Sequence, residues 1–473
     1  MHNKYFKDGI YVLVSNALRL ISKFIVSILA AKLLGPTNFG FYNLIDLVGK
    51  YGPISTLGVP SGTSREIPIN LGKGKINHAS KLNDTGFTGM FITTGMTALV
   101  ILGISIFSFS GITLFAISMA SLGVIANAIY EYHIVYLYSY SQFRIASLVI
   151  SVYATFLLIL SLSLILIFDI WGQLFAIFLV PVSAIIYVYS KRFHHFSISI
   201  DYPLYFHIIK IGLPMLLIGL GETFLITLDR ILIVKYFDIT NLGYYGLAIM
   251  VFVFSQQVHS AISQVIYPKL NLLFGQSKNV DKFSEITIPP AILLSIGMPP
   301  LIAVLMYILP LVVKYYLPEY SNGILSAEII MIPISVYTIN ILNTLFKIKI
   351  IFSVLALSII FKIVSVILLY NLSVGLEGVA IASSMSLLFY SLIITVLSLF
   401  FMGKNIRYIF RYIVLFIFIP VLNLTIYFLY INGLIFNIVV IFIPITFYMF
   451  MVYKLFHNQY NWSAFLFDLE NGT

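Results

Sequence analysis

The sequence predicts an all-α polytopic membrane protein with about fourteen transmembrane helices. Of its 473 residues, 60% are apolar and only 9% are charged. The apolar residues fall into blocks that are mostly about twenty residues long, and at 1.5 Å per residue a helix of that length crosses the hydrocarbon layer of a bilayer. Within a bilayer a helix satisfies its own backbone hydrogen bonds, so each block is expected to be helical.

The predicted spans are joined by short connections, apart from two longer ones at 60–84 and 191–206. The first apolar block is too long for the core of a cleavable signal peptide and lacks a small-residue cleavage pattern, so it is expected to remain as a span. In chain order, the approximate limits of the spans are 9–34, 38–59, 85–108, 112–136, 143–168, 171–190, 207–236, 240–267, 286–313, 322–346, 350–370, 376–401, 408–430 and 434–455.

The composition excludes several classes of function. No polar stretch between the spans is long enough to bury a core of its own, so no separate soluble domain is expected. The chain has no cysteine, which rules out disulfides, thiolate metal sites and cysteine nucleophiles. Its net charge of +10 is spread over many short loops, so no nucleic-acid partner is expected.

Basic residues are distributed unequally over the two sides of the predicted spans. If the N-terminus is cytoplasmic, the cytoplasmic segments hold nineteen of the 27 Lys and Arg residues, the opposite segments hold three, and five lie within spans. Cytoplasmic loops of membrane proteins carry an excess of Lys and Arg. The sequence therefore predicts that both termini are cytoplasmic.

A short internal repeat divides the chain into two halves. The stretch 31–44 (AKLLGPTNFGFYNL) matches 234–247 (VKYFDITNLGYYGL) at six of fourteen positions with a constant offset of 203. Each copy joins the first two spans of its half, and an even number of spans separates the copies, so the repeats run in parallel. This layout, typical of transporters, predicts six-helix bundles at 1–190 and 207–401, a cytoplasmic linker at 191–206, and two accessory spans with a cytoplasmic tail at 402–473.

Several local motifs, taken with this layout, resemble one known family. The motifs are Asn16, Arg19 and Lys23 in a basic first span, then Leu33-Leu34-Gly35-Pro36 with Phe39-Gly40, and in the second half Leu228-Asp229-Arg230 followed by Gly243-Tyr244-Tyr245. The chain resembles the bacterial oligosaccharide and O-antigen flippases, the polysaccharide-transporter branch of the MATE-like MOP superfamily. The resemblance extends to about Phe401, and the remainder is similar to the optional extra helix pair of that family.

The resemblance implies a flippase in the bacterial inner membrane. Its substrate would be an oligosaccharide repeat unit of O-antigen or capsule linked to undecaprenyl pyrophosphate, moved from the cytoplasmic to the periplasmic leaflet. Membrane lipids and, further along the route, polysaccharide polymerase and chain-length machinery are the implied partners, and a monomer is expected. No cofactor is expected, and H⁺ or Na⁺ is left open as the coupling ion.

Three rival functions stand beside this one. A lipid II exporter of the same superfamily would carry a similar substrate. A multidrug exporter of cations would favour an acidic cavity, and a membrane glycosyltransferase or polymerase would need a large extramembrane loop with catalytic residues, which the predicted spans do not leave. No Gly-rich phosphate loop, His-x-x-x-His pair or nucleophile elbow is present, so the protein is not expected to be an enzyme.

Charged residues within the spans are the candidates for substrate binding. A Lys or Arg at mid-bilayer costs about 2.5–3.5 kcal/mol on insertion scales, so it persists where it faces a wet cavity or a partner. Together with one carboxylate, these cations form the predicted substrate-binding set: Arg19, Lys23, Asp46, Lys50, Arg230 and Lys362.

The helical spacing of the first two spans groups their charges on two faces. Arg19 and Lys23 share one face and would offer counter-charges to a pyrophosphate, or they snorkel or pair with carboxylates between helices. On the second span Asp46 precedes Lys50 by four residues, so Asp46 could neutralise Lys50 or could instead pair with Lys23. In the second case Arg19 or Lys50 would be the free cation.

Three carboxylates are the candidates for ion coupling. Glu222 and Asp229 are seven residues apart on one face of the seventh span, and Glu131 lies on the fourth. Glu222 could exchange a proton in each cycle or form a salt bridge to the cationic face of the first span. Asp229 and Arg230 could equally close a gate or cap a helix. The tyrosines around Glu131 are typical of an interfacial belt or, alternatively, of a surface that stacks against sugars.

The topology can be tested with reporter fusions. If the charge asymmetry sets the orientation, reporters fused after Lys282 and Lys454 should be cytoplasmic, and a reporter near Glu319 should be periplasmic. Alkaline phosphatase and green fluorescent protein fusions report the two compartments in opposite ways, so each site has an internal control. A periplasmic signal at Lys454 would rule out the fourteen-span arrangement.

Overall fold

The computed structural model describes residues 2–193, 197–253, 305–306, 308–334, 347–411 and 413–414. All of the regular structure in these segments is helical, which confirms the predicted all-α class. Six of the helices are long and apolar enough to cross a membrane. The predicted spans at 240–267, 286–313, 322–346, 408–430 and 434–455 lie partly or wholly outside the described residues, so the total of fourteen stays a prediction.

The described helices follow one another closely along the chain. They are α1 (His2–Tyr51), a 3-10 helix (Gly52–Thr56), α2 (Val59–Gly72), α3 (Ile76–Ser108), α4 (Gly111–Ser139), α5 (Phe143–Ser190), α6 (Tyr202–Tyr236), α7 (Ile239–Val253), α8 (308–316), a second 3-10 helix (Pro318–Gly323), α9 (Ile324–Ile334), α10 (Ile348–Asn371) and α11 (Leu376–Phe401).

Two of the long helices are broken where the sequence predicts a connection between spans. In α1 the break is at Gly35, whose φ of 69° and ψ of 171° suit glycine, and Pro36 then begins a new helical segment because it needs no N–H partner in a first turn. In α5 the break is at Asp169, with a φ of 53°. Each break lies at a predicted connection, between the first and second spans in α1 and between the fifth and sixth in α5.

The longer connection predicted at 60–84 is mostly helical. Helix α2 occupies most of it, and α3 begins at Ile76. Val59 and Ile67 of α2 are buried in a core shared with Leu82 of α3, Tyr132 of α4 and Ile208 of α6. Because α2 contributes buried apolar side chains, it belongs to the packed structure and is more than a surface loop.

The chain divides into two compact units. The first unit comprises Lys7–Arg230, and the second comprises Met1–Phe6 together with the chain from Ile231 onward. In the first unit α4 packs against α3 and α5, while α2 packs against α3 and α4. In the second unit α11 packs against α10 and α9. The first part of α6 therefore belongs to the same unit as α1–α5.

Helix α6 joins the first unit through a contact between glycines. A Cβ atom on Gly58, which precedes α2, would lie 2.5 Å from the carbonyl group of Gly212 on α6. A Cβ atom on Gly62 would lie equally close to the carbonyl oxygen of Ile208. Small residues let helix backbones approach closely inside a membrane, where packing rather than hydrophobic burial drives association.

This contact predicts a difference between two glycines of the same helix. Gly212→Ala places a methyl group against the carbonyl oxygen of Gly58 and should destabilise the protein by about 1–3 kcal/mol through overpacking. A methyl group on Gly219 would meet no atom within 4 Å, so Gly219→Ala is the matched control and should be neutral or stabilising by up to about 1 kcal/mol. Thermal unfolding of the purified protein in detergent measures both. Equal unfolding temperatures for the two variants would contradict the close backbone contact.

Candidate functional site

A buried arginine links α6 to the second segment of α1. Arg230 is only 2% exposed. Its Nη1 donates hydrogen bonds to Asp46 Oδ2 at 3.1 Å and to the carbonyl oxygen of Asn43 at 3.2 Å. The amide of Asn43 in turn donates to the carbonyl oxygen of Phe39 at 3.0 Å. The sequence suggested that Arg230 could close a gate or cap a helix. In the structure its charge is instead compensated by Asp46, inside the first unit.

Asp46 also lies near a second cation. Its Oδ2 is 3.7 Å from Lys50 Nζ, one helical turn along α1. Of the two pairings left open by the sequence, the structure has Asp46 beside Lys50 and adds Arg230, which neither alternative included. Asp46 and Lys50 remain 38% and 31% exposed, whereas Arg230 is enclosed. One carboxylate is thus shared by two cations.

Arg19 is held by polar groups of α1 and α4. Its Nη2 donates to Asn16 Oδ1 at 3.0 Å, and its Nη1 is 3.9 Å from Glu131 Oε1. The Arg19 side chain is 19% exposed, and the Glu131 side chain is 56% exposed. This arrangement agrees with the alternative in which a cation of the first span pairs with a carboxylate of another helix.

Lys23 differs from the three cations described above, Arg19, Lys50 and Arg230. It has no carboxylate within 4 Å among the residues that the structure describes. Arg19, Lys50, Asp46 and Glu131 are nonetheless its charged neighbours. Lys23 is exposed to solvent. The sequence left two pairings of Asp46 open, and in only one of them would Arg19 or Lys50 be free; in the described structure both of these lie within 4 Å of a carboxylate.

Tyrosines lie beside these charges. The rings of Tyr130 on α4 and Tyr153 on α5 are stacked, with centroids 4.5 Å apart and planes at 23°. Tyr42 of α1 lies near Gln173 of α5 and near Asp46. Tyr130 and Tyr132 are about 1% exposed or less, and Tyr132 donates to the carbonyl oxygen of Asn83, so these two belong to the core rather than to an interfacial belt.

The linked charges carry a net positive charge. The cluster contains four cations and two carboxylates, so its formal charge is +2. We call it the cationic cluster, and its members are Arg19, Lys23, Asp46, Lys50, Glu131 and Arg230. Because four cations and two carboxylates leave a formal charge of +2, a ligand with two negative charges would neutralise the cluster. Such a cluster suits an anion rather than an organic cation.

The other predicted site residues lie elsewhere in the described structure. Glu222 is half-buried on α6, and Asp229 on the same helix is 4% exposed, with its Oδ1 accepting the backbone N–H of Arg230. Lys362 is 1% exposed on α10, in the second unit. Their assigned roles in substrate binding and ion coupling stay predictions.

The uncharged neighbours of the cluster could not be found from the sequence. Tyr42, Tyr153 and Gln173 gave no signal because isolated tyrosines and a glutamine are common in membrane helices and no spacing relates α5 to α1. Tyr51 was missed for the same reason, yet its hydroxyl is 2.7 Å from that of Thr227 on α6. The helical spacing of Asn43, Asp46 and Lys50 was the only signal for this side of the cluster.

Comparison with protein families shows the family to which the chain belongs. The model of the family "Polysaccharide biosynthesis protein" matches residues 5–273, which is more than half of the chain. The chain belongs to this family. The matched region covers all of the first unit from its start at Lys7, and therefore every residue of the cationic cluster. No curated protein matches the sequence.

Solved structures with a similar fold are MATE transporters and other transporters of the MOP superfamily. An inward-facing multidrug resistance MATE family transporter has a TM-score of 0.62 at 13% identity, over 84% of this chain and 98% of that chain. A MATE transporter of Vibrio cholerae has a TM-score of 0.61 at 14% identity, over 86% and 98%. A MOP superfamily transporter from Pyrococcus furiosus, described as having a binding pocket of reverse polarity, has a TM-score of 0.61 at 14% identity, over 84% and 96%. The polysaccharide biosynthesis protein therefore has a MATE-like fold.

The shared carboxylate predicts unequal effects for its two partners. Asp46→Asn removes the anion beside the enclosed Arg230 and should destabilise the protein by about 1–3 kcal/mol, because a buried group loses its partner. Lys50→Gln removes a half-exposed cation at 3.7 Å and should change stability by at most about 1 kcal/mol. Unfolding of the purified protein in detergent measures both changes. A double-mutant cycle of Asp46→Asn with Arg230→Gln should show coupling, and additive effects would contradict the ion pair.

Proposed function

We propose that this protein is a flippase for an oligosaccharide linked to a polyprenyl diphosphate. It moves the repeat unit of a surface polysaccharide, such as O-antigen or capsule, from the cytoplasmic to the outer leaflet of the bacterial inner membrane. The family and the MATE-like fold support a transporter of polysaccharide biosynthesis. The observation that carries the choice of substrate is the net charge of the cationic cluster, +2, since a diphosphate diester carries two negative charges.

The physical problem of flipping explains why such a cluster is useful. A diphosphate cannot cross hydrocarbon unaided, because burying an uncompensated charge is prohibitively costly. Fixed cations replace part of the water that the phosphates lose, and Arg and Lys are the usual partners of phosphate oxygens. The sugars could contact the partly exposed ring of Tyr153, while the polyprenyl tail remains in lipid. Alternation between inward-open and outward-open states then moves the charged head group.

The cationic cluster also separates the proposed function from its rivals. An exporter of organic cations would need a net negative site, and the cluster has the opposite sign. The Pyrococcus furiosus relative, for which reversed pocket polarity is taken to suggest a different function, gives a parallel for that argument. A lipid II exporter shares the diphosphate chemistry and is the remaining alternative. We further propose cytoplasmic termini, a monomer, H⁺ or Na⁺ as the driving ion, and contact with the polymerase and chain-length machinery.

Lys23 gives the sharpest test of this function. Because Lys23 has no carboxylate within 4 Å in the described structure, Lys23→Gln removes a charge without leaving a paired anion behind. We expect Lys23→Gln to abolish export of surface polysaccharide, measured by complementation of a strain that lacks its own copy, while the protein accumulates in the membrane normally. Lys23→Arg keeps the charge and should retain a substantial part of the export.

The matched control is Lys235→Gln, which removes an exposed lysine at the end of α6 and should leave export unchanged. A direct measurement uses the purified protein and farnesyl diphosphate as a short polyprenyl diphosphate. Lys23→Gln should weaken binding of farnesyl diphosphate, and Lys235→Gln should not. Full export together with unchanged binding in Lys23→Gln would overturn the proposed anion pathway.

A further inference from the structure

A buried carboxylic acid lies in the second unit, away from every residue used above. Glu328 is on α9 and is only 3% exposed. Its helix neighbours Ala327, Ile330 and Met331 are also buried. The sequence pattern did not single out Glu328 because it stands alone in an apolar block, with no charged residue at helical spacing.

Glu328 has no compensating charge in the described structure. Its Oε1 is buried and has no hydrogen-bond partner. Among the described elements, α11 and the 3-10 helix Pro318–Gly323 pack against α9, and α7 contacts Gly323 directly before it through Tyr244. The titratable side chains of these elements are Glu319, Tyr320, Glu377, Tyr390, Tyr244 and Tyr245, and none of these is a cation.

The lack of a cation determines the form in which Glu328 can be buried. An ionised carboxylate without a partner is very unfavourable in an apolar interior, whereas a protonated carboxyl group is only a weak dipole. Asp46 and Glu131 differ in this respect, because each lies within 4 Å of a cation and can remain charged. The packed arrangement around Glu328 is therefore compatible with the protonated acid.

The environment of Glu328 can change if α9 separates from α11. Ser384 of α11 donates a hydrogen bond from its Oγ to the carbonyl oxygen of Ile329, the residue after Glu328, at 3.0 Å. Ser383 and Ser386 of the same helix are buried as well. A helix interface with several hydroxyl groups can admit water more easily than an aliphatic one, because these groups can hydrogen-bond to the water.

We propose that Glu328 is a proton-binding site whose occupancy controls the packing of α9 against α11. With the proton bound, the two helices pack as observed. Release of the proton to water creates a carboxylate that must be hydrated, which favours the separated arrangement. The further step, that Glu328 couples proton movement to transport, rests on the proposed flippase function.

The geometry favours a proton over a metal ion. Sodium and other hard cations need several oxygen ligands. The nearest unpartnered hydroxyl on α9 is that of Ser326, two residues before Glu328 and thus on a different side of the helix. Within the described chain no group of three His, Asp or Glu side chains is placed to hold a metal ion. A single carboxyl group is sufficient to bind a proton.

The first test detects the proton directly by infrared spectroscopy. Wild-type protein in detergent should show the C=O stretching band of a protonated carboxyl group at neutral pH. Glu328→Gln, which has nearly the same shape as the protonated acid, should lose the Glu328 contribution to this band. The matched control Glu319→Gln removes an exposed glutamate from the neighbouring 3-10 helix and should keep the band. An unchanged band in Glu328→Gln would overturn the proposal, and Glu328→Met provides a second variant without the acid.

The second test measures the helix contact. Because the chain has no cysteine, a single Ser384→Cys change reports the accessibility of this interface without background labelling. Maleimide reacts with the thiolate, so its rate rises with pH at any site, and the exposed Ser321→Cys serves as the reference. The ratio of the labelling rates, Ser384→Cys to Ser321→Cys, should rise with pH when Glu328 is present and should stay constant in Glu328→Gln.

Two results of the labelling experiment would count against the proposal. One is the same pH dependence of the ratio in Glu328→Gln. The other is a change of the ratio when sodium replaces choline at constant pH, which would assign the site to a metal ion. Neither measurement uses a substrate, so their outcome is independent of the farnesyl diphosphate experiment. Proton binding at Glu328 and anion binding at Lys23 can therefore fail separately.

Discussion

The ion pair between Arg230 and Asp46 is the constraint on which the first unit depends. A guanidinium group does not lose its proton at any accessible pH, so an enclosed arginine obliges the surrounding protein to provide an anion. Asp46 provides it from α1, and this requirement brings α6 against the second segment of that helix. The hydrogen bond between Tyr51 and Thr227 lies along the same pair of helices, and the glycine contact at Gly212 holds the earlier part of α6. Polar and steric interactions thus determine one helix position together.

The same ion pair divides the cations into two roles. Arg230 is enclosed, and its charge is compensated by Asp46 at 3.1 Å. Lys50 lies farther from the same carboxylate, at 3.7 Å. Arg19 interacts with Glu131 and Asn16, and Lys23 alone among the four has no carboxylate within 4 Å in the described chain. Under the proposed function, an anion could bind Lys23 without displacing a carboxylate that lies within 4 Å of it, whereas at Arg19 and Lys50 it would compete with Glu131 and Asp46. Because the carboxylates lower the cost of an empty site, the cluster can persist without a ligand.

The sequence predicted the elements of the first unit well and the contacts between them poorly. Hydrophobic block length and the pair Gly35-Pro36 were sufficient to locate the break in α1, since both act over a few residues. The identity of the intramembrane cations was also accessible, because charge in an apolar span is conspicuous. The partner of Asp46 was not, because Arg230 is 184 residues away and helical spacing relates only residues of one helix. Glu328 carried the same signal, a lone charge in an apolar span, and was missed; the structure adds that no cation lies beside it among the described residues.

The two units meet the cost of buried charge in opposite ways. The cationic cluster has a formal charge of +2, which the proposed anion with two negative charges would neutralise. Glu328 has a removable charge, which becomes neutral when a proton binds. If both proposals hold, a compact arrangement of each unit would be more favourable with its ligand bound, and an empty site would favour hydration. A transport cycle whose intermediates exclude water should therefore proceed when the ligands are bound. It should stop when the charges of the cationic cluster or of Glu328 are not neutralised. On this reasoning, electrostatic desolvation, rather than a mechanical connection between the two sites, is the physical basis for coupling ligand occupancy to conformational change.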